Sequence, residues 1–310
     1  MNSRPTPDVP APHDLNHATP ESIRERILAY YAVATPDYKV WSRNFNMHFG
    51  YWRWGLNLFN RESMLQELNR QVVARMNLPQ GSARIADLGG GTGATARLAV
   101  HLHPDAHVDV VTLVPSQVEL GRRLNQEAGC GDAITMHCAD FTCTGLPAGS
   151  YDAVSMIESA CHGEGPTKAA LLHEALRLLK PGGTLVMVDA MLRRQQPRGG
   201  LLNRIGLHIY RRWCESWAVP EMARIDLVQP ALGMLGFEEV RTEDWSWHMV
   251  PSVAHVPLLA LYFMLAEIIK ARGRLPLWRW RHIVASLLTP LLGLRRRTVI
   301  YAALTARKRA

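Results

Sequence analysis

The chain has no uncharged apolar run of 18 residues, the length a helix needs to cross a bilayer. Its longest candidates, residues 256–269 and 283–294, fall short, so a spanning helix is not expected. The first 20 residues lack the basic start and apolar run of a secretory leader. They hold five prolines and several polar residues instead, a composition that predicts a disordered lead-in. Cysteine is sparse: Cys130, Cys138, Cys143, Cys161 and Cys214 make an odd set with no CxxC pair. This disfavours a disulfide framework or a zinc site and fits a reducing, cytoplasmic setting. No His/Cys/Asp grouping has metal-ligand spacing. Acid is missing from two stretches. Residues 270–310 carry eleven Lys/Arg, more than the net charge of +8 for the whole chain, and residues 193–212 carry six arginines. Such segments suit an anionic ligand or an anionic membrane surface, or they simply keep a face solvated.

With 310 residues, 47% hydrophobic and 20% charged, the chain can build a full core. Ile23, Ile27, Leu28 and Tyr31 recur at helical spacing and predict a helix over 21–31; an aromatic-rich segment, 38–59, follows, and 61–76 reads as a second helix. Beyond residue 80 short β-branched runs alternate with helical periods, the mark of βαβ units and a parallel sheet. Strands are expected at 84–88, 108–113, 133–138, 151–157, 184–189, 237–242 and 298–306, and helices at 92–102, 116–128, 167–179 and 221–235. The fold class is therefore doubly wound (Rossmann-like) α/β, with a helical cap before the sheet and an apolar, basic, Trp-containing insertion, 251–294, before the last strand.

The stretch Arg84-Ile85-Ala86-Asp87-Leu88-Gly89-Gly90-Gly91-Thr92-Gly93 ends a strand in an acid and enters a glycine-rich turn to a helix. Glycine permits the turn and lets a ligand approach the backbone. The spacing differs from the G-x-G-x-x-G of dinucleotide sites, and the Gly-Lys-Ser/Thr of a P-loop is absent. It resembles the first motif of class I S-adenosylmethionine-dependent methyltransferases, which implies that Gly89, Gly91 and Gly93 carry the cofactor's methionine end, with Asp87 near its amino group. After the second strand, Thr112 stands where many members have a ribose-binding acid, and Gln117 follows. This departure resembles the branch of cyclopropane fatty acid synthases, tocopherol methyltransferases and sterol C-methyltransferases, and implies that Thr112 and Gln117 line the ribose. Asp140 and Phe141 follow the third strand, where the family meets the adenine. Lys180-Pro181-Gly182-Gly183 resembles the family's junction into the fifth strand. The resemblance divides the chain into a cap (21–80), a cofactor core (81–190) and acceptor-side elements (191–310).

The fourth strand ends in Glu158-Ser159-Ala160-Cys161-His162, which resembles the Glu-x-x-Cys-His stretch of sterol C-methyltransferases. Upstream, Trp41 to Trp52 resembles the Trp…His-x-Gly-Tyr segment that folds over the cofactor in that branch. The resemblance implies C-methylation of an isoprenoid or lipid-like alkene, with N- or O-methylation of an amine, phenol or quinone natural product as the alternative. Methylation of an alkene leaves a carbocation, which aromatic faces stabilise and a base must deprotonate. Glu158, His162 and His48 are the candidate bases; Tyr30, Tyr31, Trp41, Phe45, Tyr51 and Trp52 are candidates for the aromatic wall. In the insertion, Leu258, Leu259, Leu261, Phe263, Met264 and Ile268 give a helix an apolar face suited to capping the acceptor, and Leu277–His282 mixes aromatics with cations. The arginines suit a prenyl diphosphate, with magnesium only in that case, or peripheral membrane contact. No nucleic-acid partner is expected, since no recognisable RNA-binding motif is present.

Overall fold

The β-branched runs assemble into strands β1 (Ala83–Leu88), β2 (Ala106–Thr112), β3 (Ile134–Cys138), β4 (Tyr151–Ile157), β5 (Leu179–Leu192), β6 (Phe237–Asp244) and β7 (Val299–Lys308) in a computed structural model that describes residues 20–196, 199–270 and 277–310. They form one sheet in the order β3-β2-β1-β4-β5-β7-β6, with β7 antiparallel to both neighbours. Each central strand is apolar on both sides because helices cover both faces. On one face Leu171, Leu172 and Leu178 of α5 (Ala169–Leu178) and Val228 and Leu232 of α7 (Ile225–Leu235) pack against Val154, Met156 and Leu185. On the other, Leu68 and Val72 of α2 (Arg61–Arg75), Ala96 and Ala99 of α3 (Ala94–Leu102) and Val118 of α4 (Pro115–Glu127) pack against Val108, Val110 and Val186. Each buried large apolar side chain contributes about 1.5–3 kcal/mol. Strand order reverses between β1 and β4, so the loops after these strands diverge and open a crevice at their carboxyl ends.

Helix α1 (Pro20–Trp41) continues ten residues past the expected end, through Pro36. An inward stripe at Tyr30, Ala34, Tyr38 and Trp41 carries the helical period onward, and these side chains line a cavity. The Pro-rich lead-in, residues 1–19, lies outside the described residues. Strand β5 extends well beyond 184–189 because β7 pairs with it from Thr184 to Leu192. The expected start of a helix at residue 221 gives way to extended chain: Leu192 N donates to Ala223 O, and Leu192 bridges Arg224, which spends this backbone on the sheet edge. The arginine-rich stretch supplies helix α6 (Leu201–Ser216), which the sequence did not suggest.

The insertion forms α8 (Ser246–Lys270) and α9 (Leu277–Gly293). One segment of α8, Ser246–Ala266, is long and apolar enough to cross a membrane by length and composition, with a mean hydropathy of 1.7. The apolar stretch thus starts about ten residues before the run picked out in the sequence. The helix is nevertheless fastened lengthwise to the domain. Gly50 N donates to Ser252 Oγ, Trp52 N donates to His248 O, and the His248 ring bonds Trp52 O. The His255 ring bonds Leu58 O. The side chains of Ile268 and of residues 277–282, including the expected Trp/Arg mixture, lie outside the described residues.

Candidate functional site

A cavity of about 360 Å³ lies over the carboxyl ends of β1, β2 and β4, within the size range of small-molecule sites. Asp87, Gly89, Gly91, Thr112, Gln117, Asp140 and Phe141 all line it. Gly89 adopts φ +76, and a Cβ there would collide with the Ser159 side chain, so only glycine fits the turn. Gly93 departs from expectation. It is the left-handed N-cap of α3, faces Met136 and Asn125, and does not line the cavity. Asp87 is buried and accepts a hydrogen bond from Ser155 Oγ on the neighbouring strand (2.8 Å). Burial pushes its carboxyl up to about 6, and a cation beside it would return it to the ionised form. Thr112 Oγ1 donates to Gln117 Oε1 (2.6 Å), and Gln117 Nε2 donates to Thr35 Oγ1 of α1. Gln117 is thus an inward residue tying the cap to β2. Asp140 shapes its own loop, accepting from Thr142 N and Oγ1. These donors and acceptors fit a cofactor with one cationic end and a nucleoside end.

Helix α1 roofs this cavity with Ile23, Arg24, Ile27 and Tyr31. The loop between α1 and α2 sits on the glycine turn, with the Met47 sulfur near where a Cβ on Gly91 would lie. Glu62 holds that loop: its carboxylate accepts from Ser42 Oγ, Arg43 N, Asn44 Nδ2 and Asn46 Nδ2. Asn46 in turn accepts from Asn69, and Asn69 from Thr95 of α3.

A second cavity of about 150 Å³ lies between α1, α8 and α9. Its aromatic wall is Tyr30, Tyr38, Trp41, Phe49, Trp217 and Phe263, with Val256, Leu259, Ala260 and Ile283 completing it. Met47, His48 and Glu158 border both cavities, so they mark the junction between them. Glu158 has φ +48, a left-handed conformation uncommon outside glycine and often found at functional sites. Its Oε1 accepts from Phe49 N (2.7 Å) and Tyr301 Oη (2.6 Å). Among the described residues Oε2 has no hydrogen bond. Burial pushes the Glu158 carboxyl up to about 8 against these two donors. The His48 ring bonds the Phe49 carbonyl through Nδ1 (2.7 Å), which can only accept, so the proton sits on Nδ1. Nε2 is buried and has no hydrogen-bond partner within ordinary geometry among the described residues, and burial lowers the ring's pKa.

The structure separates several expected partners. His162 lines the first cavity alone; its Nε2 meets Tyr31 Oη (3.1 Å) and its Nδ1 faces Ala218 O (3.3 Å). Burial pushes its ring down to about 4, and it fastens the α1 roof rather than facing the junction. Tyr51 stacks on His248, Trp52 packs on Trp54, and Phe45 and Tyr31 belong to the first cavity. Leu258 and Leu261 point outward. Arg193 pairs with Asp244 and Arg295 donates to Gln196, and among the described residues no arginine lines the second cavity. A diphosphate in the second cavity therefore has no cationic partner among these residues, and no group of three or more potential metal ligands occurs among them. Tyr301 gave no signal in sequence, because it is one β-branched-run residue among others until β7 pairs with β5. Tyr38 and Phe49 lay within the aromatic segment, but only the length of α1 turns Tyr38 inward.

Residues 85–183 match a family model described as a methyltransferase domain. The chain is 24% identical over 298 residues to a probable chloroplastic tocopherol O-methyltransferase of Oryza sativa subsp. japonica, covering 93% of this chain and 79% of that one. It is 27% identical over 239 residues to a sarcosine/dimethylglycine N-methyltransferase of Aphanothece halophytica, covering 74% and 75%. A solved cyclopropane synthase from Mycobacterium tuberculosis has a similar fold, with a TM-score of 0.75 at 16% identity over 92% of this chain and 98% of that one.

Proposed function

We propose that the chain is a class I S-adenosylmethionine-dependent methyltransferase, a reading that its methyltransferase-domain match over residues 85–183 and its methyltransferase relatives support, and that it methylates a hydrophobic small molecule bound in the aromatic cavity, at an alkene carbon of an isoprenoid or lipid-like acceptor. The observation that carries this reading is the junction: Glu158 and His48 stand between a polar, glycine-edged cavity and an aromatic one. The cofactor supplies a sulfonium methyl group, transferred in line to an electron pair. The protein's contribution is to align the two molecules, which supplies much of the rate. The alkene's π electrons form the new carbon–carbon bond as the methyl–sulfur bond breaks, leaving a cationic carbon. The rings of Tyr30, Tyr38, Trp41, Phe49, Trp217 and Phe263 line the cavity, and aromatic rings can stabilise such a charge. Glu158 Oε2 takes the proton from the adjacent carbon, whose C–H electrons restore a double bond, and His48, which borders the same junction, is the second candidate acceptor. Tyr301 and Phe49 N hold Glu158 in place. We place this activity in the cytoplasm, in secondary metabolism.

A second reading, N- or O-methylation, is favoured by Asp37 and Glu158, two carboxyl groups in an aromatic cavity that also suits an ammonium. The test is Glu158→Gln with labelled cofactor and a panel of isoprenoids, sterols, quinones, phenols and amines, binding of the cofactor being measured separately. A fall of about a hundredfold or more in carbon methylation with cofactor affinity kept is expected. Turnover that survives, or labelling of amines or phenols alone, overturns the alkene mechanism and leaves the cofactor site standing.

A further inference from the structure

Helices α8 and α9 each have two working faces. The inner faces, through Val256, Leu259, Ala260 and Phe263 of α8 and Ile283 of α9, line the acceptor cavity. The outer faces are also apolar, and among the described residues nothing covers them. On α8 Leu258, Leu261, Tyr262 and Leu265 follow the i, i+3, i+4, i+7 pattern of one helical face, and Leu258 is 69% exposed. On α9 Val284, Leu287 and Leu291 repeat it, continued by Leu294, 77% exposed, just beyond the helix end. Helix α6 packs beside α9 and adds Leu201, Leu202 and Ile205, with Leu202 82% exposed. Scattered exposed leucines need no explanation, but three neighbouring helices with apolar stripes do.

Charge says what covers them. Arg204, His208 and Arg211 are exposed on α6 next to its leucines, and Arg297 is exposed just past α9. From residue 268 to the end the sequence has no acid. A helix with an apolar face and a basic surround is built to lie in the plane of a bilayer surface, with its leucines among acyl chains and its cations among anionic headgroups. A transmembrane reading of α8 fails on its fastening, since Ser252, His248 and His255 tie one side of it to the cap.

We infer that the outer faces of α6, α8 and α9 dock this protein on an anionic lipid surface, placing the acceptor cavity one helix-thickness from the acyl chains. The position of the cavity rests on the function proposed above; the docking does not, and it is measured with no acceptor present. The full chain is sedimented with phosphatidylcholine vesicles, with and without phosphatidylglycerol. Wild type is expected to bind the phosphatidylglycerol vesicles about tenfold more tightly than phosphatidylcholine alone. Leu258→Asp combined with Leu287→Asp is expected to lose vesicle binding at least about tenfold with S-adenosylhomocysteine affinity unchanged. Arg204→Glu with Arg211→Glu is expected to remove the phosphatidylglycerol preference while leaving the apolar part. Vesicle binding by the Leu-to-Asp variant equal to wild type overturns the proposal. So does a wild type that ignores both vesicles, including the case in which it forms a dimer that the same substitutions dissociate, for then a second copy covers this face.

Discussion

Glu158 has an acidity set by competing effects of known direction. Burial raises it to about 8, and the Tyr301 hydroxyl and Phe49 amide lower it by stabilising the carboxylate. If the carboxylate is the working form, the rate should rise with pH through an apparent pKa, and that pKa should fall when a cationic cofactor binds nearby. Tyr301→Phe removes one stabilising donor. It is therefore expected to move this limb to higher pH and to cut turnover at neutral pH by about tenfold, with full recovery at alkaline pH. A pH–rate profile of both proteins checks this; a variant slowed equally at every pH would make Tyr301 a packing residue only. His48 shows why a residue's name is not its role: its Nδ1 is spent on a carbonyl, and its Nε2 is buried.

At the scale of elements, the loop between α1 and α2 brings the two cavities into register. It carries Met47, His48 and Phe49, and its conformation is set from below by Glu62 and by the Asn46–Asn69–Thr95 chain. Arg97 of α3 adds a bond to Asn44 O and another to Thr92 O, so loop and glycine turn are joined. Glu62→Ala removes four acceptor contacts at once. The expected result is a melting temperature lower by several degrees, corresponding to about 1–3 kcal/mol, and a larger loss in turnover than in cofactor affinity. Calorimetry and steady-state kinetics measure the two; unchanged turnover in a folded variant would show that the loop is placed by other contacts. The glycine turn was legible in sequence because its chemistry is local: an acid, three glycines and a helix start. The roles of α1 past Pro36 and of α6 were not, because only packing against α8, α9 and β7 gives those segments an inside and an outside.

For the molecule as a whole, the raised and lowered acidities have opposite signs and partly cancel. Asp87, Asp189 and Glu158 bind their protons more tightly folded than unfolded, and this stabilises the fold at low pH and fades as pH rises. His48 and His162 are held neutral, which stabilises at high pH and fades as pH falls below the ordinary histidine value. Between about pH 6.5 and 8 Glu158 dominates this set. The cofactor-free protein is expected to lose up to about 2 kcal/mol of stability over that window, and Glu158→Gln to flatten the loss. Urea unfolding at the two pH values, with and without S-adenosylhomocysteine, measures it; a wild type equally stable at both would mean that solvent reaches the carboxyl.

The sequence alone determined the sheet, the cofactor loop and the order of the motifs, because hydrophobic period, glycine geometry and strand-end acids act over a few residues. It named Glu158 and His48 but could not separate them from His162, since all three follow from local resemblance. Tertiary structure decided that separation. It turned the His162 ring onto Tyr31 and Ala218, brought Tyr301 from the last strand onto Glu158, and paired Arg193 with Asp244 at the surface. These are contacts between residues more than a hundred positions apart in several cases, and their geometry exists only once the seven strands have set how α1, α8 and α9 meet.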